Sequence, residues 1–233
     1  MSRTAPRYWA IVPAAGIGSR MGAVLPKQYL QLAEKTVIEQ TLLRLLSEKR
    51  LETIVVAISQ NDTCWESVKQ NFSARVQTTV GGRERFESVL SGLRYLAGQA
   101  DNNDWVLVHD AARPCVTKKE IGRLIERLKA DPVGGILALP VHDTLKKVQQ
   151  GVVESTLDRQ TIWRALTPQM FRFGLLKKAL EQAVEAGIAV TDEASAIESL
   201  GYKPKLVEGE PENIKITRPA DLALAAFYLE KKV

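Results

Sequence analysis

Short β-rich apolar runs recur along the chain with helical patterns between them, and this alternation constrains the fold more than any other feature. The runs span Trp9 to Val12, Thr53 to Ile58, Val76 to Val80, Trp105 to His109 and Gly135 to Leu139. Between them, apolar residues fall at helical spacing, as in Val37, Thr41, Leu42, Leu45 and Leu46, or Val89, Leu93 and Leu96. Strand-helix alternation of this kind predicts an α/β fold: a single Rossmann-like domain whose mostly parallel, twisted sheet is flanked by helices. Helical patterns resume at 175–186, 192–200 and from Pro219 onward, with a short strand near 205–207.

One stretch breaks the pattern. From Val141 to Thr161 the chain is polar and strand-like, and Lys-Lys-Val-Gln-Gln-Gly-Val-Val-Glu-Ser-Thr reads as a hairpin about a Gln-Gly turn. It is too hydrophilic for a core, so it is expected to project as an arm. A two-stranded ribbon is only marginally stable alone, and a symmetry mate is the simplest surface for it to pack on. The expected organisation is one domain over residues 1–233, with 141–161 as an inserted dimerisation arm and a homodimer as the assembly.

With 45% hydrophobic and 25% charged residues, the chain can build a sizeable core, which excludes disorder and fibrous repeats. The net charge of +5 raises the question of nucleic acid. The lysines and arginines alternate with acids along the helical patterns, however, and no basic run is interleaved with aromatics. A small polyanionic substrate accounts for the surplus, and no nucleic-acid partner is expected. Cys64 and Cys115 stand far apart without metal-ligand or redox spacing. The apolar run ending at Pro13 is too short for a signal peptide, and no stretch reaches membrane-spanning length. A cytoplasmic protein with no membrane partner is the resulting expectation.

Three clusters carry the chemistry. The first strand runs into Pro13-Ala14-Ala15-Gly16-Ile17-Gly18-Ser19-Arg20-Met21-Gly22 and then Pro26-Lys27-Gln28. Small residues let backbone N–H groups approach an anion closely, and Arg20 and Lys27 add full positive charges. A dinucleotide fingerprint would need a third glycine one position before Gly22, and no Walker-type Gly-Lys-Ser/Thr run is present. The second cluster, Gly81-Gly82-Arg83-Glu84-Arg85-Phe86-Glu87-Ser88, again joins a strand to a helix, with room for a flat base against Gly82 and a hydroxyl at Ser88. The third, His109-Asp110-Ala111-Ala112-Arg113, lies at a strand's carboxyl end, where ligands collect in open α/β sheets. Asp110 there suits a ribose hydroxyl or a magnesium ion, and Arg113 a phosphate. His109 reads as structural.

In this order, and together with Pro140-Val141-His142-Asp143-Thr144-Leu145-Lys146, Asp158-Arg159, Trp163-Arg164-Ala165-Leu166-Thr167-Pro168-Gln169, Thr191-Asp192-Glu193-Ala194-Ser195 and Glu212-Asn213-Ile214-Lys215-Ile216-Thr217, these clusters closely resemble one family. It is that of the 2-C-methyl-D-erythritol 4-phosphate cytidylyltransferases of the non-mevalonate isoprenoid pathway. The resemblance covers nearly the whole chain. It implies that CMP passes from CTP to 2-C-methyl-D-erythritol 4-phosphate with release of pyrophosphate. Arg20, Lys27 and Lys215 would be the catalytic cations. Ala14, Ala15, Gly16, Gly82, Ser88, Asp110 and Ala111 would hold CTP. Asp110, Arg113, Thr167, Thr191 and Lys215 would face the methylerythritol phosphate, with Thr144 and Arg159 reaching a neighbouring subunit's substrate from the arm. Mg2+ or another divalent cation is the implied cofactor. No dedicated protein ligand for it is expected, Asp110 being the one candidate.

The substrate phosphate is already ionised near neutral pH, so it needs no Ser-His pair to act as nucleophile, and the sequence has only two histidines. The nearest alternative is a ribitol-5-phosphate cytidylyltransferase, which shares much of the pattern. Rivals from other classes are a dinucleotide-dependent oxidoreductase, opposed by the displaced glycine, and a non-catalytic nucleotide sensor.

Overall fold

The computed structural model describes residues 5–16 and 25–231. Its centre is a seven-stranded sheet built from β1 (Tyr8–Pro13), β4 (Leu51–Ile58), β5 (Val76–Val80), β6 (Trp105–Val108), β7 (Gly134–Pro140), β10 (Trp163–Arg172) and β11 (Lys205–Glu208). The spatial order is β11-β7-β10-β6-β1-β4-β5. β1 pairs in parallel with both β4 and β6, β4 with β5, and β7 with β11. β10 alone runs antiparallel, between β6 and β7.

Alternation along the buried strands sends side chains to two separate cores. Ala10, Val12, Ile54, Val56 and Leu107 face α1 (Val37–Leu46), α2 (Trp65–Lys69) and α4 (Lys118–Leu128), whose Ile38, Leu42, Leu45, Trp65, Ile121 and Leu124 complete that layer. Trp9, Ile11, Val55, Val106 and Val108 face α3 (Arg85–Leu96), α5 (Phe173–Glu185) and α6 (Glu193–Ser199). α1 begins at a reciprocal cap in which Glu39 N–H donates to Thr36 Oγ1 while Thr36 N–H donates to Glu39 Oε2. The last helix, α7 (Pro219–Glu230), lays Ala225 and Leu229 beside Leu32, Val37, Ala112 and Ile216, and so brings the end of the chain next to its first third. A small ribbon of β2 (Gln31–Leu32) and β3 (Lys35–Thr36) leads into α1.

The polar stretch forms a separate two-stranded antiparallel sheet, β8 (Lys146–Gln149) with β9 (Val152–Thr156). Every residue of both strands is exposed. Its turn residues Gln150 and Gly151 have φ of 49° and 82°, the left-handed pair that a two-residue hairpin needs to match strand twist.

β10 is the element that sequence periodicity missed. Trp-Arg-Ala-Leu-Thr-Pro-Gln does not alternate, and Pro168 argues against a central strand. The ladder to β7 accommodates it with an irregularity between Ala165 and Gln169.

Candidate active site

The carboxyl ends of β1, β5 and β6 open on one edge of the sheet, where the chain leaves β1 toward β4 on one side and leaves β6 toward β7 on the other. That is the position at which open α/β sheets form a crevice. A cavity of about 470 Å³ occupies it, walled by Ala14, Ala15 and Gly16 after β1, Gly82 and Ser88 around the start of α3, Asp110 and Ala111 after β6, and Lys27 and Lys215. Nine residues singled out in the sequence therefore line one cavity. Arg20 lies outside the described residues.

Local hydrogen bonds explain why these loops hold their shape. Gln28, almost fully buried, donates from Nε2 to the carbonyl oxygens of Ala14 (2.8 Å) and Gly16 (3.1 Å), and Ala14 N–H donates to Ala57 O. A Cβ on Gly81 would come within 2.7 Å of both the Ala15 methyl and Ser88 Oγ, so glycine is what lets the two loops close together. Ser88 Oγ accepts from Gly82 N–H at 3.1 Å, which bends the loop ahead of α3. The hydroxyl read from sequence as a base contact thus also shapes the pocket.

Opposite the small residues stands a charged cluster. Asp110 Oδ1 accepts from Arg85 Nε at 2.9 Å, while its Oδ2 takes Lys215 Nζ at 2.9 Å and Arg113 Nε at 3.3 Å. Arg85 reaches on to Glu193 with both terminal nitrogens, at 2.6 and 3.0 Å. Three cations against two carboxylates leave the cluster one positive charge in excess. Burial by itself raises the Asp110 pKa, but Arg85, Lys215 and Arg113 outweigh it and hold the carboxyl well below the usual range. Burial pulls the Arg113 pKa down against the pull of Asp110, yet a guanidinium so paired keeps its charge.

The segment carrying Lys215 is fastened at several points. Ile216 N–H donates to Ala112 O, Arg113 Nη1 donates to Asn213 O, and Asn213 Nδ2 donates to Thr167 O and to the buried Glu120. Lys27 Nζ donates to Ile216 O at 3.1 Å, across 189 positions of sequence. The two lysines are therefore drawn to one spot from opposite ends of the polypeptide.

The remaining candidates lie off the cavity wall. Arg113 and Thr167 are buried behind Asp110, Thr167 Oγ1 accepting from Asp110 N–H at 3.1 Å. Thr191 is exposed just ahead of α6, where its hydroxyl hydrogen-bonds Ser195 Oγ. Thr144 and Arg159 are exposed beside the β8–β9 ribbon, with Arg159 donating to His142 O. Sequence reading missed the roles of Gln28, Arg85 and Glu193. Only Gln28, adjacent to Lys27, had a local clue.

His109 is fully buried, and its hydrogen bonds fix its tautomer. Arg113 O can only accept, so His109 Nε2 carries the ring proton and donates to it at 3.0 Å, and Nδ1 of the neutral ring accepts from Thr167 Oγ1–H at 2.9 Å while Thr167 Oγ1 accepts from Asp110 N–H. Burial lowers the pKa to about 4 from 6.5. A depressed pKa means that the unfolded chain binds this proton first on acidification. The stabilisation from His109 is thus complete above pH 6.5 and lost as pH falls toward 4, amounting to about 3 kcal/mol. Urea unfolding of His109→Gln at pH 7, 5.5 and 4.5 is expected to show a shallower decline than the parent. Parallel declines would remove His109 as the source.

Comparison with known proteins matches this geometry to a family. The sequence model described as 2-C-methyl-D-erythritol 4-phosphate cytidylyltransferase matches residues 8–231. A protein of that name from Pseudomonas aeruginosa (strain UCBPP-PA14) is 53% identical over 219 residues, covering 93% of this chain and 94% of that protein. One from Vibrio vulnificus (strain CMCP6) is 49% identical over 233 residues, covering 100% and 98%. The crystal structure of the Francisella tularensis 2-C-methyl-D-erythritol 4-phosphate cytidylyltransferase superposes with a TM-score of 0.83 at 38% identity, over 95% of this chain and 99% of that one. The family expected from the clusters around the cavity is thus the one the whole sequence and fold match: the chain belongs to the 2-C-methyl-D-erythritol 4-phosphate cytidylyltransferase family.

Proposed function

We infer that this protein transfers CMP from CTP to 2-C-methyl-D-erythritol 4-phosphate, giving 4-diphosphocytidyl-2-C-methyl-D-erythritol and pyrophosphate. The observation that carries the chemistry is the meeting of Lys27 and Lys215 on one wall of a cavity whose opposite side is small residues and backbone. The relatives reported above are named for methylerythritol phosphate, which favours it over a ribitol phosphate as acceptor.

In the reaction, an oxygen of the acceptor phosphate attacks the α-phosphorus of CTP in line. A new P–O bond forms as the α–β bridge breaks, and pyrophosphate departs with the bonding pair. The obstacle is repulsion between two anions, on the order of 4 kcal/mol for each pair of unit charges about 4 Å apart at an effective dielectric of 20. Lys27 and Lys215 offset it by neutralising charge and holding the reacting groups in line, without forming a covalent bond. The backbone of residues 14–16, with Gly82 and Ser88, would seat the cytidine. Asp110 would orient the ribose while keeping Lys215 in place. Arg20 is assigned to the triphosphate from its position in the first cluster.

A protein-held divalent cation does not fit the residues present. No three His, Cys, Asp or Glu side chains converge among the described residues, and both oxygens of Asp110 are engaged by cations. Mg2+ is accordingly proposed to arrive on the phosphates of CTP. Thr144 and Arg159 are proposed to serve the active site of a second subunit through the exposed β8–β9 ribbon, whose Val148, Val152 and Val153 would then be covered. Among the described residues, no helix is long and apolar enough to cross a membrane. A nucleoside triphosphate substrate and the two free cysteines favour a cytoplasmic setting.

The test is pyrophosphate release with CTP and methylerythritol phosphate, run beside ribitol phosphate and the other nucleoside triphosphates. Turnover is expected with the first pair and at least tenfold less with any substitute. Equal rates on ribitol phosphate would overturn the substrate assignment, and binding of CTP without pyrophosphate release would make the protein a sensor.

A further inference from the structure

We propose that Arg85 is a positioning residue that locks the nucleotide side of the active site to the amino end of α6, through a Glu193–Arg85–Asp110 bridge. The inference rests on the functional reading above and adds to it a residue that the catalytic scheme does not use.

Arg85 opens α3 and its side chain lines the cavity, but its nitrogens are committed elsewhere. One edge of the guanidinium meets Asp110 Oδ1 at 2.9 Å, and its two terminal nitrogens form a fork on Glu193 at 2.6 and 3.0 Å. Glu193 is completely buried and lies 108 positions away, the first residue of α6. An arginine placed to grip a triphosphate would leave its fork open toward the cavity. Here the planar fork faces a carboxylate, a geometry in which lysine cannot substitute.

The bridge has two consequences. Asp110 has one oxygen for Arg85 and the other for Lys215 and Arg113, so Arg85 sets the carboxylate's rotation and through it the place of the Lys215 ammonium. It also fixes the start of α6, where Thr191 precedes Asp192, the residue that caps the helix by accepting from Ser195 N–H at 2.9 Å. Asp192 is held in turn by Gln169 Nε2 at 2.8 Å, and Gln169 Oε1 accepts from Ala194 N–H. The start of α6, beside the Thr191 expected to face the acceptor, is thereby aligned with the nucleotide pocket by one guanidinium.

The experiment compares Arg85→Lys, Arg85→Gln, Glu193→Gln and the Arg85→Gln/Glu193→Gln double variant, all as full-length protein. It reads the dissociation constant of CTP without acceptor, then kcat and the KM for methylerythritol phosphate, with thermal unfolding as the check on folding. Each single variant is expected to lower kcat/KM for the acceptor at least tenfold while CTP affinity stays within threefold, with no rescue by Arg85→Lys. The double variant is expected to lose no more than the worse single, since both act on one bridge. Glu193→Gln keeps the shape of the buried side chain, so it tests the bridge even if Arg85→Gln fails to fold. A loss of CTP affinity matching the loss of kcat/KM would make Arg85 a direct nucleotide ligand and overturn the proposal. So would additive losses, or lowered unfolding temperature with unchanged kinetics. Absence of turnover in the parent protein would overturn the functional reading and this inference together, whereas an active parent with unaffected variants would overturn this inference alone.

Discussion

Lys215→Ala is expected to lower turnover by about a hundred-fold or more, equivalent to about 2.7–4 kcal/mol of transition-state stabilisation, as for loss of a preorganised oxyanion donor. The melting midpoint should move little, because the Lys215 side chain is about one-third exposed and the segment that carries it is tied by other bonds. Lys27→Ala is expected to behave alike. If both lysines act on charge that develops as the phosphates meet, kcat falls more than CTP affinity. Stopped-time pyrophosphate assays beside calorimetric CTP binding would separate the two. Unaltered turnover in either variant would remove that lysine from the mechanism.

Glu120→Ala is expected to cost about 3 kcal/mol of folding stability, and activity with it. Glu120 is fully buried; Oε2 accepts from Thr117 N–H and Oγ1–H, while Oε1 accepts from Glu210 N–H and Asn213 Nδ2. Alanine removes the Glu120 half of the capping box of α4, while Thr117 Oγ1 still accepts from the backbone N–H of residue 120, and it leaves buried donors without acceptors at about 1–3 kcal/mol each. In a chain of this length that corresponds to roughly 6–12 °C in melting midpoint. Glu120→Gln retains one acceptor oxygen and should lose roughly a third as much. Differential scanning calorimetry decides the matter, and a midpoint within 2 °C of the parent for Glu120→Ala, itself within about 1 kcal/mol, would contradict it.

How much of this was legible before any coordinates depended on whether the signal was local. Buried parallel strands announce themselves as apolar runs, so β1, β4, β5, β6 and β7 were readable, as was the Gln-Gly turn of the β8–β9 ribbon. Loops of small residues at strand ends also declare their chemistry, and the cavity gathered those of all three clusters. β10 stayed hidden because its pairing is set by neighbours on both sides, which override a proline and a broken alternation. The Arg85–Glu193 fork was invisible for another reason: its halves are 108 residues apart, and neither sits in a pattern that hints at the other.

The contact between Lys27 and the backbone beside Lys215 bears on how the protein comes into being. A chain emerging from the ribosome gains the loops at residues 14–16 and 81–88 early, yet Lys215 is made about 190 positions after Lys27, and α7 must then dock beside the segment that carries it. Completion of the two-lysine arrangement therefore waits for residues 215–230 rather than growing by degrees. A clip ahead of Lys215 that frees this segment would undo the arrangement while leaving the seven strands of the sheet in place.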